Sequence, residues 1–238
     1  MCKAQIDYVY YSLSVANNPL FTILDSTSNA NHGTKKGAGE PVEIAGKAGM
    51  GQDFDVDYIT LPQLVSTPTE VTLEMIVKSD VVNTTEQRST YNDDDICIIT
   101  SVNSGTNNKI QVYAAGDSGG GWSNSTTDYT VTDYHHIVGA VKANDYLDLY
   151  VDGAKIGTSV AIGNLAEIST TGRFIGQNRS GATPVDGIID EYRLSTTKRS
   201  AAWIKATYAS LWDTLLTYGD EETEGVTGAN IMFMFSNF

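Results

Sequence analysis

The sequence is poor in basic residues and contains no long apolar run. Its 15 Lys and Arg stand against 29 Asp and Glu, so the formal net charge is −14. An acidic surface repels phosphate groups, which argues against nucleic acid or an anionic membrane as the main partner. No stretch approaches the ~18 consecutive apolar residues that a membrane-spanning helix requires. Membrane insertion is therefore not expected.

Cysteine is also scarce, since Cys2 and Cys97 are the only two. Cys97 lies in the apolar run 96–99, where a thiol is expected to behave as a small buried hydrophobe. A disulfide between the two stays open, whereas the CxxC and Cys/His spacings typical of zinc sites are missing. The first residues lack the basic and apolar regions of a signal peptide. Three origins stay open: a cytoplasmic protein, the mature form of an exported one, or a virion component.

The residues that are abundant favour strands and tight turns. The chain has 13 Tyr and 22 Gly, with many Thr and Val, and this composition is typical of β structure. The clearest alternation lies at 71–78, where the apolar residues face one way and Ile76 interrupts the polar side. Asp152-Gly153 separates two alternating segments and predicts a type I′ turn, whose central residues need positive φ.

These patterns predict an antiparallel two-sheet sandwich with one short helix near the C-terminus. Strands are predicted at 6–15, 21–24, 53–62, 71–78, 96–101, 109–115, 135–141, 147–151, 154–156, 173–176 and 185–195. Residues 25–34 and 80–95 are expected to form polar turns and loops, and 116–121 a glycine-rich loop that leads to Trp122. A helix is predicted at 200–212, capped by Ser200 or Ser195. Its packing face is expected to contain Trp203, Ala206, Thr207, Ser210 and Leu211.

Two segments follow the helix and divide the chain into a domain at 1–218 and a tail at 219–238. Residues 220–224 form an acidic run, which we interpret as a solvated linker. The apolar residues 231–235 require burial, either as an edge strand of the domain or against a second subunit. A homo-oligomer held by this tail is therefore one expectation.

The stretch 185–195 raises a specific question, because Asp190 and Glu191 lie side by side within a predicted strand. Neighbouring side chains of a regular strand point to opposite faces. At most one of the two carboxylates would then be solvated, and the other would need a partner inside the fold.

The order of motifs resembles a known family. The motifs are Asp25-Ser-Thr-Ser-Asn with Asn31-His-Gly-Thr34, Phe54…Asp57-Tyr-Ile…Leu61-Pro62, Val71-Thr-Leu-Glu-Met-Ile-Val-Lys78, His135-His-Ile-Val, Leu149-Tyr-Val-Asp-Gly153, Phe174-Ile-Gly176 and Asp186-Gly…Ile189-Asp-Glu-Tyr-Arg-Leu194. Over residues 5–212 this series resembles the laminin-G-like, concanavalin A-like jelly rolls of bacterial, archaeal and viral surface proteins. The resemblance implies an all-β jelly-roll sandwich. Departures are the shortened segment 54–58 and the replacement of two common Trp residues by Ile76 and Tyr134.

An enzyme is not expected. Relatives that hydrolyse β-glucans carry two Glu and one Asp along a single strand, which places all three carboxylates in one cleft. The adjacent pair Asp190 and Glu191 does not match that spacing. His135 and His136 lack an accompanying Ser or Cys nucleophile motif, and we interpret them as structural.

Calcium is the cofactor that the resemblance implies, with Asp25, Asn29 and Asp190 as ligands. Family members often bind calcium where the early polar turn meets the late Asp-Glu strand, and calcium takes ~6–8 oxygen ligands. The alternative is that Asp25 and Asn29 satisfy amides of their own turn, while Asp190 pairs with Arg193 or Lys198. Residues 93–95 are a second, weaker cation candidate, or an exposed acidic loop.

Aromatic residues in predicted loops are the candidate ligand-binding positions. Trp122, Tyr91 and Tyr129 are predicted to stack on a sugar ring, although Trp122 also suits a core position at a sheet end. The function expected is a non-catalytic extracellular or surface module that binds a glycan or a protein and is stabilised by calcium. The alternative is a structural subunit of a virion or filament.

Overall fold

The computed structural model describes residues 9–11, 22–36, 39–62, 68–80, 87–88, 96–101, 109–115, 120–125, 128–130, 132–165, 173–177 and 184–215. Within these residues the strands are β1 (Val9–Tyr11), β2 (Thr22–Ile23), β3 (Gly33–Lys36), β4 (Val42–Ala45), β5 (Met50–Asp55), β6 (Tyr58–Thr60), β7 (Glu70–Ser79), β8 (Gln87–Arg88), β9 (Ile96–Ser101), β10 (Gln111–Ala114), β11 (Gly121–Asn124), β12 (His135–Lys142), β13 (Asp145–Val151), β14 (Ala154–Ile162), β15 (Phe174–Ile175) and β16 (Asp186–Ser195). One helix, α1 (Ala201–Leu211), follows the last of these strands.

The described strands form one large antiparallel sheet and two small ones. The large sheet has the order β14-β13-β12-β7-β16-β5-β4, with β1 also paired to β16. The small sheets have the orders β11-β10-β9-β8 and β15-β6-β3-β2. Apolar residues of all three sheets belong to one buried cluster, which includes Ile59, Leu73, Val112, Ile175 and Tyr192. The small sheets therefore cover the inner face of the large one, and the predicted all-β antiparallel sandwich is confirmed.

The long strand β7 explains why Ile76 departs from the alternation. Val71, Leu73, Met75 and Val77 belong to the inner core, while Ile76 on the opposite face is 0 % exposed. At Thr72, on the same face, the chain that leads into α1 packs against the strand: Thr72 Oγ1 donates to the Thr197 carbonyl over 2.7 Å. Strand β7 is therefore buried on both of its faces, and an apolar residue such as Ile76 fits its outer side.

The hairpin between β13 and β14 is confirmed as predicted. Asp152 has φ 51° and Gly153 has φ 75°, the positive values that a type I′ turn requires.

The helix was predicted correctly in extent and capping, and in part in its packing face. Ser200 Oγ accepts a hydrogen bond from the Trp203 amide over 3.2 Å, which satisfies one of the first free amides of the helix. The fully buried residue is Ile204, which packs with Val138, Ala140 and Tyr150 on the outer face of the large sheet. Trp203 of the predicted face packs against the same cluster. The predicted face also lines, together with Arg193, an open cavity of about 300 Å³.

Four strands lie where the sequence predicted loops or left a gap. β3 occupies part of the predicted polar turn, β4 lies in an unassigned segment, β8 lies within the predicted loop 80–95, and β11 includes the end of the glycine-rich loop. β3 pairs with β6, and Gly33 is needed there because a Cβ would lie 2.7 Å from Ile59 Cγ2. Short polar strands of this kind take their structure from their neighbours, so composition alone misplaces them.

Several predictions concern residues outside the described ranges. These are the tail at 219–238 with its proposed subunit contact, the boundary at 218, the acidic residues 93–95 and the ligand candidate Tyr91. All of them stay predictions.

Candidate functional site

A mixed aromatic and amide surface lies on the hairpin formed by β10 and β11. The two strands are antiparallel, with Gln111 opposite Asn124 and Tyr113 opposite Trp122. Because side chains alternate along a strand, these four residues share one face. The other face is buried, since Val112 is 1 % exposed and belongs to the core. We call Gln111, Tyr113, Trp122 and Asn124 the hairpin face.

The aromatic pair of the hairpin face is partly open to solvent. The ring centroids of Tyr113 and Trp122 lie 4.7 Å apart with planes inclined by 42°. Trp122 is 37 % exposed, although burial of its large ring inside the core would be the default for this residue type. An indole that is supported by a second ring and still reaches solvent offers a flat apolar surface for a ligand.

The amide pair completes the chemistry of the hairpin face. Gln111 Nε2 donates a hydrogen bond to Asn124 Oδ1. Each amide group carries both donor and acceptor atoms, so the pair retains further capacity for hydroxyl groups of a ligand. A flat ring beside uncharged donors and acceptors is suited to a sugar, which presents an apolar ring face and hydroxyls at its edge.

Backbone packing fixes the position of this hairpin against the large sheet. Ser123 Oγ donates to the Thr158 carbonyl over 3.0 Å, which joins β11 to β14. Gly157 has φ 69°, and a Cβ there would lie 2.3 Å from the Asn124 carbonyl oxygen. Only glycine tolerates both the positive φ and the missing space for a Cβ. The close approach of β14 to β11 therefore depends on Gly157.

The structure places the three ligand-binding candidates from the sequence in different environments or leaves them undescribed. Trp122 is exposed and lies on the hairpin face. Tyr129 is partly buried, packs against the core and meets the His135 ring edge-on at 5.1 Å. Tyr91 lies outside the described residues. Tyr113, Gln111 and Asn124 were missed, because only the register of β10 with β11 places them beside Trp122.

The acidic pair of β16 departs from a regular strand. The register against β7 shifts between Asp190 and Arg193, and Glu191 has φ 52°, which together describe a β-bulge. Asp190 is opposite Ile76 on the outer face, and Glu191 Oε2 lies 3.3 Å from Arg193 Nη2 on that face too. The prediction that the two carboxylates point to opposite faces is therefore wrong, because the extra residue of the bulge interrupts the alternation.

Asp190 is fully buried against the turn between β4 and β5. Its Oδ2 accepts a hydrogen bond from the Ala48 amide over 2.9 Å, and a Cβ on Gly46 would lie 2.5 Å from the same oxygen. Burial raises the pKa of Asp190 to about 6, and the neighbouring Glu191 carboxylate adds to this effect. The carboxylate thus connects a late strand to the turn 46–49, whereas the sequence predicted a connection to the turn that contains Asp25.

A buried polar network surrounds Glu74. Arg193 Nη1 donates to Glu74 Oε1 over 3.0 Å, and His136 Nε2 lies 3.4 Å from Glu74 Oε2. The His136 ring in turn stacks with Tyr208 of α1, with centroids 6.3 Å apart. These contacts join β7, β12, β16 and the helix, so we assign the network a structural role.

The Asp25 carboxylate accepts hydrogen bonds from backbone amides and a hydroxyl group of its own turn. Its Oδ1 accepts from the Thr27 amide over 2.9 Å, and its Oδ2 accepts from Thr27 Oγ1 and from the Asn31 amide. The Asn29 amide donates to Thr27 Oγ1 over 3.2 Å. Such Asx and ST turns satisfy the carboxylate locally.

The predicted calcium ligands are held by different parts of the fold, since Asp25 follows β2 of a small sheet and Asp190 belongs to the large one. Among the residues that the structure describes, no group of three or more His, Cys, Asp or Glu side chains is arranged to hold a metal ion. The calcium site stays a prediction.

The two adjacent histidines hold the β13–β14 hairpin in place. His135 Nδ1 lies 2.8 Å from Asp152 Oδ2, and the His136 amide donates to Asp152 Oδ1 over 3.0 Å. Burial of the imidazole opposes its charge, but the hydrogen bond to Asp152 prevails and raises the pKa of His135. The structural interpretation of this pair accounts for every contact named here.

A family model agrees with this architecture. Residues 53–205 match the model of a laminin-G type, described as the concanavalin A-like lectin/glucanases superfamily. No curated protein matched the chain. Among the described residues, no helix is long and apolar enough to cross a membrane.

Solved structures with the same fold include one enzyme-associated domain and several toxin domains. Domain 4 of AbnA, an extracellular arabinanase from Geobacillus stearothermophilus solved with arabinotriose, is 22 % identical at a TM-score of 0.67, over 84 % of this chain and 97 % of that one. The binding domain of Paraclostridial Mosquitocidal Protein 1 is 12 % identical at a TM-score of 0.66, over 86 % and 52 %. The binding domain of botulinum neurotoxin DC, solved with SialylT, is 8 % identical at 0.60, over 86 % and 51 %. The chain thus spans about half of these toxin domains.

Proposed function

We propose that the chain, which belongs to the concanavalin A-like lectin/glucanase superfamily, is a non-catalytic binding module that takes a glycan on its hairpin face. The observation that carries the proposal is the partly exposed Trp122, supported by the Tyr113 ring and flanked by Gln111 and Asn124. The fold supports it as well, because structures with the same fold were solved with arabinotriose and with SialylT.

A ligand on this surface is expected outside the cell or on a virion or cell surface, where glycans are displayed. A protein partner is the second candidate, since another domain with this fold was solved with synaptotagmin II. The assembly of a virion or filament is a third, and it depends on the tail at 219–238.

The decisive experiment is a binding assay with the variant Trp122→Ala. Loss of a stacking ring that carries most of the contact should weaken glycan binding by about tenfold or more, equivalent to ~1.4 kcal/mol. Binding can be measured by a glycan array and by pull-down with insoluble polysaccharides, and unfolding by thermal melts.

Tyr146→Ala is the matched control. Tyr146 is also an exposed aromatic residue, at 49 % exposure, but belongs to β13 of the large sheet and not to the hairpin face. Equal losses in the two variants, or full binding by Trp122→Ala at an unchanged melting temperature, would contradict the proposed site.

A further inference from the structure

The charge of the hairpin face affects which class of glycan it can bind. None of its four side chains carries a charge. Lys109 lies two residues before Gln111, but its Nζ is 3.0 Å from Asp128 Oδ1. A carboxylate-bearing or sulfated sugar is usually held by a cation, with Arg or Lys donating charge-assisted hydrogen bonds. The hairpin face offers aromatic rings and neutral amides in place of such donors.

The charge of the whole chain acts in the same direction. A formal net charge of −14 produces a field that repels anions as they approach and lowers their association rate. A neutral ligand is unaffected by this field. The chain thus combines long-range repulsion of acidic sugars with four described contact side chains that offer them no cation.

We infer that the hairpin face selects uncharged saccharides and discriminates against sialylated, sulfated and uronic-acid glycans. This inference rests on the proposed function of the same face, and it names the ligand class that the fold leaves open. Trp122 supplies the stacking surface, while the amides of Gln111 and Asn124 bond to hydroxyl groups. Discrimination arises because an acidic group would lose hydration without gaining a cationic partner.

The test is a glycan array that contains neutral glycans beside their sialylated, sulfated and uronic-acid counterparts, probed with the full chain. Neutral members should bind, and each acidic counterpart should bind at least about tenfold more weakly. Binding of the neutral glycan should change little between about 50 and 500 mM NaCl, because it involves no ion pair. The variant Gln111→Lys should gain binding to acidic members, since it adds the missing cation.

The outcomes separate this inference from the proposed function. Binding of acidic glycans as tight as that of their neutral counterparts, lost in Trp122→Ala, would overturn the inference and leave the glycan site intact. A complete absence of glycan binding, or glycan binding that Trp122→Ala leaves unchanged, would overturn both. Neutral-selective binding that is lost in Trp122→Ala but retained in Tyr146→Ala would support both.

Discussion

At the scale of single residues, burial decides which acidic groups matter for stability. Asp190 is 0 % exposed, and its pKa is raised to about 6. The folded protein therefore binds this proton more tightly than the unfolded chain does. Stability contributed by the protonated carboxyl is full at low pH and is lost as the pH rises towards about 6.

The variant Asp190→Asn tests whether the raised pKa of Asp190 makes stability depend on pH. The amide oxygen can still accept from Ala48, but the group no longer titrates. Between pH 3.5 and pH 7 the free energy of unfolding of the wild type should fall relative to the variant by about 3 kcal/mol, from a shift of about two pKa units. Urea denaturation across this range measures the difference, with the exposed Asp213→Asn as control. Parallel curves for wild type and Asp190→Asn would contradict the assignment.

Single residues also differ in how well their structural role can be predicted from the sequence. The alternation of Val71, Leu73, Met75 and Val77 was sufficient to predict the core side of β7, because one face of a regular strand is buried. The bulge at Glu191 could not be predicted, since a positive φ at a glutamate is imposed by the pairing of β16 with its neighbours. The site was found only in part: Trp122 was identifiable as an aromatic residue beside glycines, but its three companions depend on strand register.

At the scale of elements, hairpins and caps are the most predictable features because their signals are local. Asp152-Gly153 specifies its turn directly, and Ser200 specifies the start of α1. The helix face was predicted only in part, since its periodicity is weak. Trp203 packs as predicted, but the fully buried residue, which contacts Val138 and Tyr150, is Ile204. Short strands such as β3 and β11 were missed for the converse reason, because their glycine-containing, polar sequences carry no clear local strand signal.

The β13–β14 hairpin leads to a prediction about pH. The pKa of His135 is raised by Asp152, so the pair stabilises the fold fully below the unfolded pKa of ~6.5 and loses this effect as pH rises through the folded pKa. Asp152→Asn should remove the ion pair while keeping the turn, because Asn tolerates positive φ and retains an acceptor for the His136 amide. NMR titration of the His135 ring should show a lower pKa in the variant. An identical titration curve would exclude Asp152 as the cause.

At the scale of the whole molecule, the fold consists of two layers whose contact is largely apolar. The large sheet provides one layer, and the small sheets cover it with residues such as Ile59, Val112 and Ile175. Polar connections such as Ala48 to Asp190 join early and late parts of the chain within the large sheet. A ligand that bound residues of both layers would stabilise the entire domain by mass action.

The calcium proposal is a claim at this scale, since Asp25 and Asn29 belong to one layer and Asp190 to the other. If calcium joins them, EDTA should lower the melting temperature of the wild type, and Asp25→Ala should abolish that response. Asp25→Ala also removes acceptors from Thr27 and Asn31, so a lower baseline, by about 1–3 kcal/mol, is expected with or without metal. The informative quantity is therefore the difference between melts in calcium and in EDTA, measured for the wild type, Asp25→Ala and Asn29→Ala. Equal wild-type melts in both conditions would refute calcium binding, and the hydrogen bonds within the turn would then fully account for Asp25.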